Sequence, residues 1–139
     1  MADPKGEARR RPLVLLVDDF EDNREMFADY FSFSGFDVAQ AGTGTEALEK
    51  AFALRPDIIL MDLSLPGLDG WEATRRLKKD ERTQRIPVIA VTGHALRGHS
   101  EGAMQAGCDA FIAKPCMPDD LLRRVKEFLE KPAASGTGS

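Results

Sequence analysis

Asp18 with Asp19, then Asp62, Thr92 and Lys114 occupy one kind of position in this sequence of 139 residues: each directly follows a short apolar run. The runs are residues 13–17, 58–61, 88–91 and 110–113. Three carboxylates, a hydroxyl and an ammonium are thereby offered at the ends of four segments. Carboxylates can ligate a hard cation through oxygen or act as a nucleophile, and hydroxyl and ammonium groups donate to anionic oxygens. Each member of the set can therefore serve as an oxygen ligand, a nucleophile or a donor to a phosphate.

The elements that position these residues are legible from periodicity. Leu13-Val14-Leu15-Leu16-Val17 predicts a first strand, and Met26, Phe27, Tyr30 and Phe31 fall on one face of a following helix. Residues 37–41 form a weaker second strand, and Ala47, Leu48, Ala51 and Phe52 share a face of a second helix from Thr45 onward. Ile58-Ile59-Leu60-Met61 is the third strand, residues 71–79 the third helix and Val88-Ile89-Ala90-Val91 the fourth strand. A fourth helix is expected over 97–106, where few large apolar residues predict shallow packing and mobility. Ala110-Phe111-Ile112-Ala113 is the fifth strand, and a fifth helix from Pro118 aligns Leu121, Leu122, Val125, Phe128 and Leu129.

The strands are apolar at successive rather than alternate positions, as strands buried on both faces must be. Five β-α units without an internal repeat therefore predict a doubly wound α/β domain, with its site at the carboxyl ends of the strands. If strands one and three are neighbours, Asp18, Asp19 and Asp62 converge and repel one another. A divalent cation offsets that repulsion, and Mg2+, which prefers near-octahedral oxygen coordination and keeps several waters, fits two or three carboxylates.

These positions resemble those of a known family, the receiver domains of two-component response regulators. The resemblance rests on Val17-Asp18-Asp19, on Leu60-Met61-Asp62-Leu63-Ser64-Leu65-Pro66-Gly67-Leu68-Asp69-Gly70, on Val91-Thr92-Gly93 and on Phe111-Ile112-Ala113-Lys114-Pro115. It implies a flavodoxin-like and CheY-like (βα)5 fold, a five-stranded parallel sheet in the order 2-1-3-4-5. It further implies that Asp62 is the phosphoacceptor, receiving a phosphoryl group from a sensor histidine kinase or histidine phosphotransferase. Mg2+ would be held by Asp19, Asp62 and the Ser64 backbone carbonyl, and through water by Asp18. Lys114 would pair with Asp62 and then with a phosphoryl oxygen, and Thr92 would donate its hydroxyl to another. Thr92 and Phe111 would form the switch that alters the face of the fourth helix, fifth strand and fifth helix, where a downstream protein binds. Ser64 and His94 would flank the path of hydrolytic water and modulate the phosphate lifetime. The protein would not be an enzyme in the ordinary sense, catalysing only its own phosphorylation and dephosphorylation.

Composition limits the alternatives. A hydrophobic fraction of 42% supports one core, and the expected organisation is a flexible arm over 1–12, the receiver over 13–131 and a flexible tail over 132–139. No apolar run approaches the roughly 20 residues of a membrane span, and the amino terminus lacks a secretion signal, so a cytoplasmic protein without membrane insertion is expected. A net charge of -4 argues against nucleic-acid binding, and the run Arg9-Arg10-Arg11 reads as a solvated arm. Cys108 and Cys116 match no zinc-ligand spacing, His99 reads as a helix-surface residue and Trp71 as a packing residue. A stand-alone receiver is the leading expectation. A receiver module of a hybrid kinase and a phosphate-independent docking receiver are its nearest rivals. An aspartyl-phosphate phosphatase would need an acid where Ser64 stands, and a flavin-binding module would need a phosphate loop where Asp18-Asp19-Phe20-Glu21-Asp22 stands.

Overall fold

The computed structural model describes residues 11–62, 70–92, 107–113 and 117–130, with the side chains of Thr92 and Ala113 excepted. Its strands are β1 (Leu13–Val17), β2 (Asp37–Ala41), β3 (Ile58–Asp62), β4 (Val88–Thr92) and β5 (Ala110–Ala113). The described helices are α1 (Glu21–Phe33), α2 (Gly44–Leu54), α3 (Gly70–Lys79) and a C-terminal helix (Pro118–Glu130). All strand pairs are parallel, in the order β2-β1-β3-β4-β5. The expected fold is therefore the observed one, while the helix expected over 97–106 lies outside the described residues.

Alternation along the central strands builds two cores. On β1, Leu15 and Val17 join Ala47, Leu48 and Ala51 of α2 and Ala73 and Leu77 of α3. Val14 and Leu16 point the other way, onto Phe27, Ala28 and Phe31 of α1 and Leu121 and Val125 of the C-terminal helix. Every residue of β1 is buried, as a strand with helices on both faces requires. β2 is the weaker strand because it is an edge, bonded on one side only and partly exposed along most of its length. Met26, assigned from periodicity to the apolar face of α1, is instead 44% exposed. The buried stripe is Phe27, Ala28 and Phe31.

The amino ends of the strands are stapled by aspartates. Asp57 N–H donates to the Leu13 carbonyl (2.8 Å) while its carboxylate accepts from Leu13 N–H (2.7 Å). Asp109 repeats the arrangement on Val88, with both bonds at 2.8 Å, and its carboxylate also meets Lys78 at 2.9 Å. Gly107 is required beside this pair: its φ is +103°, and a Cβ there would come within 2.9 Å of Lys78 Cγ. Arg11 is exposed yet anchored, donating to the Ser32 and Phe36 carbonyls (2.8 and 2.6 Å) and pairing with Asp37. It thereby adds a second donor to the Ser32 carbonyl, which also accepts from Gly35 N–H, and ties the end of α1 to the Phe36 carbonyl ahead of β2. Arg9 and Arg10 lie outside the described residues.

Cys108 is buried, and burial pushes its thiol up to about 11, so it carries almost no thiolate near neutral pH. Among the described residues Phe31 is the largest fully buried side chain, meeting Tyr30 and Phe36 edge to face at ring distances of 6.3 and 5.5 Å. Phe31→Ala is expected to lower the unfolding free energy by about 3–5 kcal/mol in urea denaturation. A loss below about 1 kcal/mol would mean that the α1 face closes over the deletion.

Candidate functional site

The pairing of β1 with β3 decides where the carboxylates lie. Val17 stands opposite Met61, so Asp18 and Asp62, the next residue along each segment, lie side by side at the carboxyl edge of the sheet. The side chains of Asp18, Asp19 and Asp62 each place a carboxylate oxygen so that all three oxygens lie within 4.8 Å of one another. Asp62 is 3% exposed, Asp18 half-buried and Asp19 exposed. Two unit charges at that separation repel by about 3 kcal/mol at an effective dielectric of about 20, with a smaller effect toward the water-facing Asp19.

The turn carrying Asp18 and Asp19 is held from several directions. Asp18 N–H donates to the Ala41 carbonyl of β2 (3.1 Å), continuing the sheet by one bond. Its two carboxylate oxygens accept from Phe20 N–H (2.9 Å) and from the Asn23 side-chain amide (2.8 Å). The first of these closes a turn through the side chain, the local bonding that short acidic residues favour at helix starts. The Asp18 carbonyl accepts from Arg24 Nη1 (2.7 Å), and Arg24 Nε donates to Gln40 Oε1 on β2 (3.0 Å). Across the β2 end, Thr43 caps α2 by accepting from Glu46 N–H, and Glu46 accepts from Gly42 N–H (2.8 Å). That backbone donor, followed by Lys50, holds the Glu46 carboxyl below the usual range. Asn23, Arg24 and Gln40 escaped sequence reasoning, because their bonds join elements that no periodicity relates.

Asp62 pairs in register with Val91, and Thr92 pairs with Ala113. The backbone thus ends β4 at Thr92 on the edge of the sheet that carries the carboxylates, and Lys114 follows Ala113 in sequence. Lys114, Ser64, His94 and the Thr92 side chain lie outside the described residues. Phe111 is half-buried opposite Ala90 and packs, like Trp71, against the core under α2 and α3. Beside the carboxylates lies a cavity of about 430 Å³. Asp18, Asn23, Arg24 and Asp62 form its polar side, and Phe27 and Leu121 are among its apolar walls.

The donor set of this cluster is all oxygen, without cysteine or histidine. Hard divalent cations fit such a set, whereas zinc and copper favour nitrogen or sulfur. Among the described residues no helix is long and apolar enough to cross a membrane.

Comparison with known proteins agrees with this geometry. Residues 14–126 match the response regulator receiver domain family. The chain is 41% identical over 116 residues to the polar-differentiation response regulator DivK of Brucella anthropi, covering 84% of this chain and 94% of that protein. The receiver domain of sensor histidine kinase PA1611 from Pseudomonas aeruginosa, solved with a magnesium ion coordinated in the active site cleft, is 36% identical. It superposes with a TM-score of 0.79 over 84% of this chain and 96% of its own. A putative response regulator from Chloroflexus aurantiacus, 30% identical, gives a TM-score of 0.82 over 88% and 100% of the two chains. In sequence and in strand order alike, this chain belongs to the response regulator receiver domain family.

Proposed function

We propose that the chain is a cytoplasmic phospho-receiver that takes a phosphoryl group onto Asp62 from a sensor histidine kinase or histidine phosphotransferase. The observation that carries this reading is the buried Asp62 carboxylate set against Asp18 and Asp19 at the carboxyl edge of β1 and β3. Identity of 41% across most of DivK supports a single-domain signalling role over a catalytic one.

An Asp62 oxygen attacks phosphorus, forming a P–O bond while the bond from phosphorus to the donor imidazole nitrogen breaks and its electron pair leaves with the imidazole. Little covalent chemistry falls to the protein, whose contribution is position and charge. Asp19, Asp62 and the Ser64 carbonyl would hold Mg2+ directly. Asp18, whose oxygens already accept from Phe20 and Asn23, would reach it through water. A cation held there would supply positive charge that partly offsets the carboxylates and the phosphoryl oxygens. Lys114 pairs with Asp62 before transfer and with a phosphoryl oxygen after it, and the Thr92 hydroxyl takes another oxygen. The chain modifies itself instead of turning over a substrate.

Output follows from Thr92 moving toward the phosphoryl group and Phe111 repacking beside Ala90, which alters the face of the fourth helix, β5 and the C-terminal helix for a downstream protein. Phe111 has no hydroxyl, so its two positions differ by packing alone. Ser64 and His94 set water access to the phosphate and hence its lifetime.

The test is Mg2+-dependent incorporation of acid-labile phosphate from a small phosphodonor, read by intact mass. Wild type is expected to gain one phosphoryl group and Asp62→Asn none, with unchanged circular dichroism; phosphate persisting on Asp62→Asn would refute the assignment. Lys114→Ala is expected to remain folded but to lose the change in hydrogen exchange that beryllium fluoride induces in β5 and the C-terminal helix. An unchanged exchange response in that variant would remove Lys114 from the switch.

A further inference from the structure

Arg24 stands where a cation gains nothing from its own helix. It lies in the first turn of α1, after Glu21 and Asp22, at the end where the helix dipole favours negative charge. Its guanidinium instead turns back, donating Nη1–H to the Asp18 carbonyl at 2.7 Å and Nε–H to Gln40 Oε1 at 3.0 Å. Gly42 leaves room for it, since a Cβ at that position would come 3.3 Å from Nη1. One rigid fork thereby ties α1 to the end of β1 and to β2.

The peptide so held is the one joining Asp18 to Asp19. The N–H of Asp18, in the preceding peptide, is fixed by the Ala41 carbonyl and the C=O of the Asp18–Asp19 peptide by Arg24, so the backbone is held on both sides of the Asp18 Cα where it leads into Asp19. Asp19 is the exposed member of the carboxylate cluster, and the guanidinium orients the backbone that carries it.

We propose that Arg24 is a positioning residue that, through the Asp18–Asp19 peptide, makes the acidic cluster select Mg2+ over Ca2+. This rests on the reading of the cluster as a divalent-cation site. Mg2+ demands a near-ideal octahedron of short bonds, whereas Ca2+ accepts longer and less regular ones. Rigid placement of the carboxylate backbone therefore favours the smaller ion. Groups that orient ligands without touching the metal typically change affinity by about 10- to 100-fold when removed.

The experiment is calorimetric titration of wild type, Arg24→Lys and Arg24→Met with Mg2+ and separately with Ca2+, with metal-free circular dichroism and melting as controls. Arg24→Met is expected to weaken Mg2+ binding by about 10-fold or more and Ca2+ binding by clearly less, so that the selectivity ratio falls. Arg24→Lys, whose ammonium can hold the Asp18 carbonyl without the fork to Gln40, is expected between the two. A folded Arg24→Met that binds Mg2+ as wild type does, or that weakens both ions equally, overturns the proposal. If Arg24→Met does not fold, Gln40→Met releases only the far anchor of the guanidinium; it is expected to lower the selectivity ratio, and an unchanged ratio overturns the proposal. A wild type that binds neither ion overturns the cation-site reading itself and the role of Arg24 with it.

Discussion

Three like charges brought together at the ends of two adjacent parallel strands are the constraint on which this molecule turns. Asp18, Asp19 and Asp62 do not converge through any local motif; they converge because β1 and β3 are hydrogen-bonded neighbours whose register brings both chains to the edge together. A doubly wound sheet makes this possible by placing sequence-distant strands side by side where the winding reverses. In the absence of a compensating charge the arrangement costs stability, and a divalent cation would offset that cost.

The two edges of the sheet divide the work. At the amino edge, Asp57 and Asp109 use carboxylate and backbone together to lock neighbouring strands, and Arg11 closes the end of α1. Between the edges, two apolar layers hold every strand of the centre in place. Only with the amino edge and both cores fixed can the carboxyl edge keep its acids close. Asn23 and Arg24 of α1, with Gln40 of β2, then hold the Asp18–Asp19 turn at the geometry the strands deliver.

Much of this was visible in the residues. The central strands announced themselves because burial on both faces leaves continuous apolar runs, and the acids at their ends followed from those runs. The β3 strand nevertheless includes Asp62, which an apolar run cannot reveal, because strand pairing is a backbone property. Met26 misled, since helical periodicity names a broad face while packing selects a narrow one centred on Phe27, Ala28 and Phe31. Asp57 and Asp109 sit 44 and 21 residues from the strand starts they staple, and Arg24 is 16 residues from Gln40. Bonds of that kind depend on tertiary placement and leave no local pattern. Lys114, like Thr92, followed from its place after an apolar run, whereas Ser64 and His94 were singled out by resemblance to the family.

The three carboxylates are expected to carry a mutual repulsion that a divalent cation would lower further than the protein's own donors do. That expectation is tested most directly by thermal unfolding near pH 7 of wild type and Asp62→Asn, each with Mg2+ and with a chelator. Removing one charge is expected to raise the melting temperature of the metal-free protein, while Mg2+ stabilises wild type markedly and Asp62→Asn far less, as a ligand specific for the folded state must. A metal-free Asp62→Asn that melts below wild type, together with equal Mg2+ responses in the two proteins, would contradict it.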